Sequence, residues 1–203
     1  MVASGIGDTD RVDVAPYRLM THFGLALLII AITAWYWLDL GEQDKVRTRQ
    51  RLRVMALAVL ILTSIQMLSG ALVAGLDAGR TYTDWPLMAG ELIPSHYLEQ
   101  QLGLRSLFEG RAATQFNHRF FAYTLLALAL YGAYAARGSA IAKGFYLVAA
   151  LVSAQAVWGV LTLINAAPLP VALVHQGLGV VVLLGAVWLV WITRSENNRT
   201  VPA

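Results

Sequence analysis

Two histidines carry the chemistry that this chain can be read to perform. His118 stands in the stretch Gln115-Phe116-Asn117-His118-Arg119, at the mouth of an apolar run from Phe120 to Ala136. His175 enters the last apolar run in much the same way. An ionisable ring carried into a lipid-spanning segment costs free energy, so by default it marks a functional site. A pair of imidazoles at equal depth on separate helices can grip one metal-centred cofactor, and a flat iron porphyrin held from both faces is the form this takes in helical bundles. An iron with both axial positions filled moves electrons rather than activating a substrate directly. The competing reading is two membrane histidines that each bond a neighbouring carbonyl or side chain. Matched depth, in a chain with only four histidines, favours the site. His96 reads as an ordinary surface histidine.

The elements that must position this pair are membrane helices. The chain of 203 residues is 58% hydrophobic and 13% charged, with a mean hydropathy of +0.59, whereas a soluble domain sits at about one quarter charged. It has no cysteine, which excludes a disulfide framework, a thiolate metal site and a covalently attached c-type haem. The basic balance, with a pI near 9.4, is sorted by membrane side rather than clustered on one face, so no nucleic-acid partner is expected.

Five stretches are long enough to cross a bilayer, which takes roughly 20 residues. They lie near Leu19–Leu40, Val54–Leu76, Thr114–Ala136, Gly144–Ile164 and Leu169–Thr193. The expected fold is an all-α integral membrane protein with five transmembrane helices, the last four forming a haem-binding four-helix bundle. The expected division is a first part, 1–53, and a haem-binding half, 54–203. The first part holds a polar tail, one transmembrane helix with His22 and a basic cytoplasmic loop.

Asp8, Asp10, Arg11, Asp13 and Arg18 give the first 18 residues the wrong charge for a signal peptide. Lys45, Arg47, Arg49, Arg51, Arg53, Arg137, Lys143, Arg194 and Arg199 fall on one side of the spans. Only Arg11, Arg18, Arg80, Arg105 and Arg111 fall on the other. That bias predicts an external N-terminus and a cytoplasmic C-terminus. The absence of a transit-peptide pattern points to a bacterial inner membrane.

Both rings of the pair are expected roughly 6–12 Å inside the outer boundary at ~1.5 Å per residue. Gly177 and Gly179 would leave room for a ring system, and Phe121 and Ala122 would wall it. Arg111 and Arg119 would sit at the rim, where acidic groups of a cofactor need partners. In the long connection from Asp77 to Ala113, Tyr97 to Phe108 could form a short amphipathic helix lying flat on the membrane interface.

An internal repeat supports the pairing. Gln66-x-x-x-Gly70-x-Leu72 matches Gln155-x-x-x-Gly159-x-Leu161, and His22-Phe-Gly-Leu matches His175-Gln-Gly-Leu. The last four spans thus alternate glutamine helix and histidine helix. The first span resembles the closing helix of a preceding unit, and His22 is left without an opposite number.

The stretches Gly70-Ala-Leu-Val-Ala-Gly-Leu-Asp77-Ala-Gly79, Asp84-Trp-Pro-Leu-Met88, Gln115-Phe-Asn-His118-Arg119 and His175-Gln176 resemble the haem A synthase (COX15-CtaA) family, and Asp13-Val-Ala-Pro-Tyr-Arg18 leading into Thr21-His22 adds to this. The resemblance implies an eight-helix protein of two similar four-helix halves that oxidises a methyl group of haem O to the formyl of haem A for cytochrome oxidase. It implies a haem b held between His118 and His175 as electron-transfer cofactor, and His22 as a candidate ligand of the substrate haem. It also implies haem O as substrate, haem O synthase and cytochrome oxidase assembly factors as partners, and membrane lipid as surroundings. Self-association stays open.

The family's second helix, with a glutamate three residues before a His-Arg pair, has no counterpart here. Gln115 occupies the matching place in the present half and cannot act as a carboxylate. Haem binding without full turnover is therefore the expectation for these 203 residues, unless a separate chain supplies the family's first three helices. Two other readings stay open on the sequence. One is a b-type cytochrome subunit that transfers electrons without synthase activity, and the other is a non-enzymatic assembly scaffold.

Overall fold

The computed structural model describes residues 15–41, 46 and 48–194. Asp8, Asp10, Arg11, Asp13, Lys45, Arg47 and Arg199, which enter the charge argument, lie outside the described residues. Among the described residues there are six α-helices: α1 (Pro16–Leu40), α2 (Gln50–Gly75), the four-residue α3 (Ser106–Glu109), α4 (Arg111–Ala135), α5 (Ala142–Ile164) and α6 (Leu169–Thr193). Three of the long helices start two to four residues before the apolar run that announces them, and α1 starts three before. Hydropathy reports where lipid would begin, whereas the helical hydrogen bonds begin earlier, in the polar turn ahead of it. Pro16 and Pro170 sit in the first turns of α1 and α6, where a missing N–H costs nothing.

Among the described residues, four helices are long and apolar enough to cross a membrane: α1, α2, α5 and α6. Helix α4 is as long, at 25 residues. Its first third, however, carries Arg111, Gln115, Asn117, His118 and Arg119, which dilute its hydropathy.

Helix α2 packs on α4 and α6, and α5 packs on the same two, so these four close into a ring with α4 and α6 at opposite corners. Helix α1 lies outside the ring, against α2 and α6. Small residues bring the helices together, as they must where lipid supplies no hydrophobic drive. A Cβ on Gly132 of α4 would meet Phe145 of α5 at 2.9 Å, and one on Gly24 of α1 would meet Leu68 of α2 at 2.9 Å. The apolar core follows the ring: Ala56, Val59, Leu125, Ala129, Phe145, Val148, Val182 and Leu189 are all buried. A second cluster, with Leu27, Leu183 and Trp191, seats α1.

The two ends of the bundle differ. One end is capped by the connection between α2 and α4, residues 76–110. The other carries Trp35, with Tyr36 and Trp37 exposed beside it, as expected of an interfacial belt. There Asp39 accepts from Trp191 Nε1 at 2.8 Å and pairs with Arg194, whose guanidinium also lies over the Trp35 and Trp191 rings. Arg51 bonds the Tyr131 hydroxyl, and Arg137 lies 3.7 Å from the Tyr134 ring centre.

The expected amphipathic helix over Tyr97 to Phe108 does not form. The Ser106 hydroxyl takes the Glu99 N–H at 2.9 Å. Leu102 and Gly103 both donate to the Glu99 carbonyl, which closes a single turn, and Gly103 then enters the left-handed region at φ 54°. A 3-10 turn over Gly103–Arg105 then leads into α3.

Packing predicts a contrast between two changes. Gly132→Leu drives a side chain into Phe145 and should cost about 1–3 kcal/mol through overpacking, read as a lowered thermal midpoint in detergent. Leu130→Ala, on an exposed face of the same helix, should leave that midpoint nearly unchanged.

Candidate functional site: a histidine pair across the bundle

His118 lies seven residues into α4 and His175 six residues into α6, which puts both about 9–11 Å below their helix starts. Both helices run inward from the capped end, so the two rings meet at one depth. Their centres are 6.5 Å apart and their planes 77° apart. An imidazole nitrogen binds a metal at about 2.0–2.1 Å and lies roughly 1.1 Å from its ring centre, so two rings on opposite sides of one metal stand about 6.3 Å apart. The observed separation fits that arrangement.

Glycines opposite the rings make the approach possible. A Cβ on Gly70 of α2 would meet His118 Cε1 at 3.1 Å, and one on Gly159 of α5 would meet His175 Cε1 at 3.0 Å. The repeat read from the sequence is therefore a repeat of packing: each glutamine helix presents its glycine to one histidine. The sequence placed Gly70 and Gly159 in the repeat without assigning them a neighbour, and gave the space beside His175 to Gly177 and Gly179. In the structure Gly177 faces open surroundings, while Gly179 packs on Met67 and the Gln155 amide.

Polar groups surround the pair. Gln66 Nε2 lies 3.2 Å from both ring nitrogens of His118, and Ser69 Oγ lies 2.9 Å from His118 Nδ1. Gln155 Nε2 donates to the His175 carbonyl at 3.0 Å. The carbonyl oxygens of the Gln66 and Gln155 side chains and Nδ1 of His175 are buried without a partner. Buried polar atoms are nearly always paired, and these three leave hydrogen-bonding capacity beside the ring pair that a further group can meet. Among the described residues no cluster of three or more histidines and carboxylates occurs, so the pair can supply a metal's two axial ligands but not a whole coordination shell.

The other residues of the Gln115–Arg119 stretch serve the cap. Arg119 is buried, and its guanidinium donates to the carbonyls of Tyr82, Asp84 and Leu87 at 3.0–3.1 Å. Gln115 donates to the Tyr82 carbonyl at 2.9 Å. Asn117 accepts from the Tyr97 hydroxyl at 2.8 Å and donates to the Leu107 carbonyl, while Phe116 meets the Tyr97 ring edge-on at 5.2 Å. Arg119 is thus committed to the connection rather than standing free at a rim, and Arg111 is exposed. The hairpin that Arg119 grips turns at Ala89 and Gly90, both at positive φ, between the paired Met88 and Glu91. The Asp84 carboxyl is held below the usual carboxylate range by backbone N–H groups at that turn, Ala89 foremost. Phe121 and Ala122 are half-buried below His118, and His96 is exposed.

His22 sits apart from the pair. It lies six residues into α1, exposed, in an open groove of about 390 Å³ lined by Tyr17, Arg18, Thr21 and Leu25. Thr21 bonds the Tyr17 carbonyl, and Tyr17 in turn reaches Glu109 of α3.

Fold and site together define an all-helical integral membrane protein that sets two histidines against each other across the core of a four-helix ring. The chain belongs to the COX15-CtaA family of cytochrome oxidase assembly proteins, whose model matches residues 1–187. It is similar to proteins named heme A synthase. It is 62% identical to that of Hyphomonas neptunium over 201 residues, covering 99% of this chain and 57% of that protein. It is 45% identical to that of Dinoroseobacter shibae over 185 residues, covering 87% and 48%. To that of Rhodopseudomonas palustris strain HaA2 it is 43% identical over 208 residues, covering 100% and 56%. The chain spans about half the length of these relatives.

Removing the cap's anchor has a specific consequence. Arg119→Ala should abolish hydrogen-exchange protection across residues 82–91. Each bond from a charged donor contributes about 1.5–3 kcal/mol. Arg119→Lys should not restore it, because a single ammonium cannot reproduce a planar fork that bridges three carbonyls.

Proposed function

We propose that this chain is the cofactor-holding part of a haem A synthase, acting in the oxidation of the haem O methyl group to the formyl of haem A for cytochrome oxidase. His118 and His175 would hold a haem b, and His22 is a ligand candidate for the substrate haem. The observation that carries this reading is the 6.5 Å separation of the two imidazole centres, together with a family assignment over most of the chain.

A haem held by these two histidines would supply one-electron transfer. The chain's own residues do the rest. Gly70 and Gly159 admit the two imidazoles. Gln66 and Ser69 orient His118, and Gln155 ties α5 to the backbone at His175. The connection over residues 76–110, fastened by Gln115, Asn117 and Arg119, keeps water from the ring pair. Residues 54–203 form the haem-binding half, and residues 1–53 bring in His22 and a basic loop.

All five long helices cross the membrane in this reading, α4 included, because the polar residues of its first third face the cap and the cofactor rather than lipid. The N-terminus is external and the C-terminus cytoplasmic. Arg49, Arg51, Arg53, Arg137, Lys143 and Arg194 gather at the end away from the cap, as the positive-inside bias requires.

The test is spectroscopic. The purified chain loaded with iron protoporphyrin should give a low-spin ferric spectrum and a sharp reduced b-type band. His118→Ala and His175→Ala should each abolish the low-spin form, while His22→Ala should leave it unchanged. Retention of that form in either of the first two variants defeats the ligand assignment. Extracted haem bearing a formyl group, made by this chain together with the remaining length of its relatives, would separate a synthase from a cytochrome that only transfers electrons.

A further inference from the structure

The Ser69 hydroxyl lies 2.8 Å from the backbone carbonyl of Gln66 and 2.9 Å from His118 Nδ1. A carbonyl only accepts, so the single O–H of Ser69 is committed to Gln66. Toward His118 the same oxygen can then only accept, and Nδ1 must be the donor. A neutral imidazole protonated at Nδ1 keeps one lone pair, on Nε2. Gln66 Nε2 is equidistant from both ring nitrogens at 3.2 Å, which sets the amide over the face of the ring rather than on either in-plane lone pair, so it does not choose between the tautomers.

We infer that Ser69 is a positioning residue that fixes the tautomer of His118, with the proton on Nδ1 and the ligating lone pair on Nε2. The inference rests on the haem reading above and deepens it. Hydrogen bonding to the second nitrogen of a ligating imidazole orients the ring and raises its basicity.

The support is one-sided. Three residues after Gln155, where the repeat would place a counterpart of Ser69, stands Trp158, whose Nε1 donates to the Val171 carbonyl at 3.1 Å. His175 Nδ1 is buried without a partner. The two axial ligands are therefore unequal: His118 is held in one tautomer and His175 is not.

Nitrogen-15 NMR of histidine-labelled full chain, purified without haem and assigned with His118→Ala, reads the tautomer directly. The expected result is a neutral His118 protonated on Nδ1. Ser69→Ala should mix or reverse the tautomers, and Ser69→Thr should restore the original one. After loading with iron protoporphyrin, Ser69→Ala should weaken haem binding by about 10–100-fold and raise the midpoint potential, with Ser69→Thr returning both toward the starting values. A His118 protonated on Nε2 in the unsubstituted protein overturns the inference, whatever the variants do. So does a Ser69→Ala protein whose tautomer and haem affinity match the original. Failure of the haem reading is seen separately, as an unsubstituted protein that gives no low-spin spectrum while its tautomer is still measurable.

Discussion

Two imidazoles can approach each other across a helical bundle only where the helices between them give up their side chains. Gly70 and Gly159 do this, each leaving just over 3 Å between a hypothetical Cβ and the histidine opposite. Any larger residue there would push a ring off its partner or force its helix out of the ring of four. The rest of the molecule follows from that constraint. Helices α4 and α6 must stand at opposite corners, and their starts must be level. Glutamine helices α2 and α5 must fill the other corners, with Gln66 and Gln155 each nine residues from the end of its helix.

The helical angle then divides the work of the Gln115–Arg119 stretch. Gln115 and Arg119, four residues apart, share one face and both reach the Tyr82 carbonyl. Asn117 and Phe116 turn to Tyr97 and the far limb of the connection. His118 is left facing inward. One turn of helix thus fixes the cap and aims a ring, so that the cap and the His118 imidazole are mechanically one unit.

Much of this was legible in the sequence, because it rests on rare events in an apolar background. Long apolar stretches, four of which form helices able to cross a membrane, and two histidines placed alike in separate stretches stand out without any knowledge of packing. The Gln-x-x-x-Gly repeat was also visible, but not its purpose, since nothing in the spacing says which helix face meets which ring. Arg119 illustrates the limit. A basic residue beside a membrane histidine looks like a partner for an acidic group, and only the path of the connection reveals that three backbone carbonyls claim it. The expected helix over Tyr97 to Phe108 failed for a similar reason. Apolar periodicity was present, but the Ser106 hydroxyl and a left-handed Gly103 outweighed it.

His22 raises the same question of cost at a third place. It lies at the depth of the pair, six residues into α1 as His175 is into α6, yet on a face that neither α2 nor α6 covers. An ionisable side chain turned to lipid is unfavourable, and membrane proteins answer that cost by burying such groups in protein or lining a cavity with them. The pair shows how this family of helices does so, with a glycine-bearing neighbour laid against the histidine. An equivalent neighbour against α1 would place a further ring opposite His22 in the same layer.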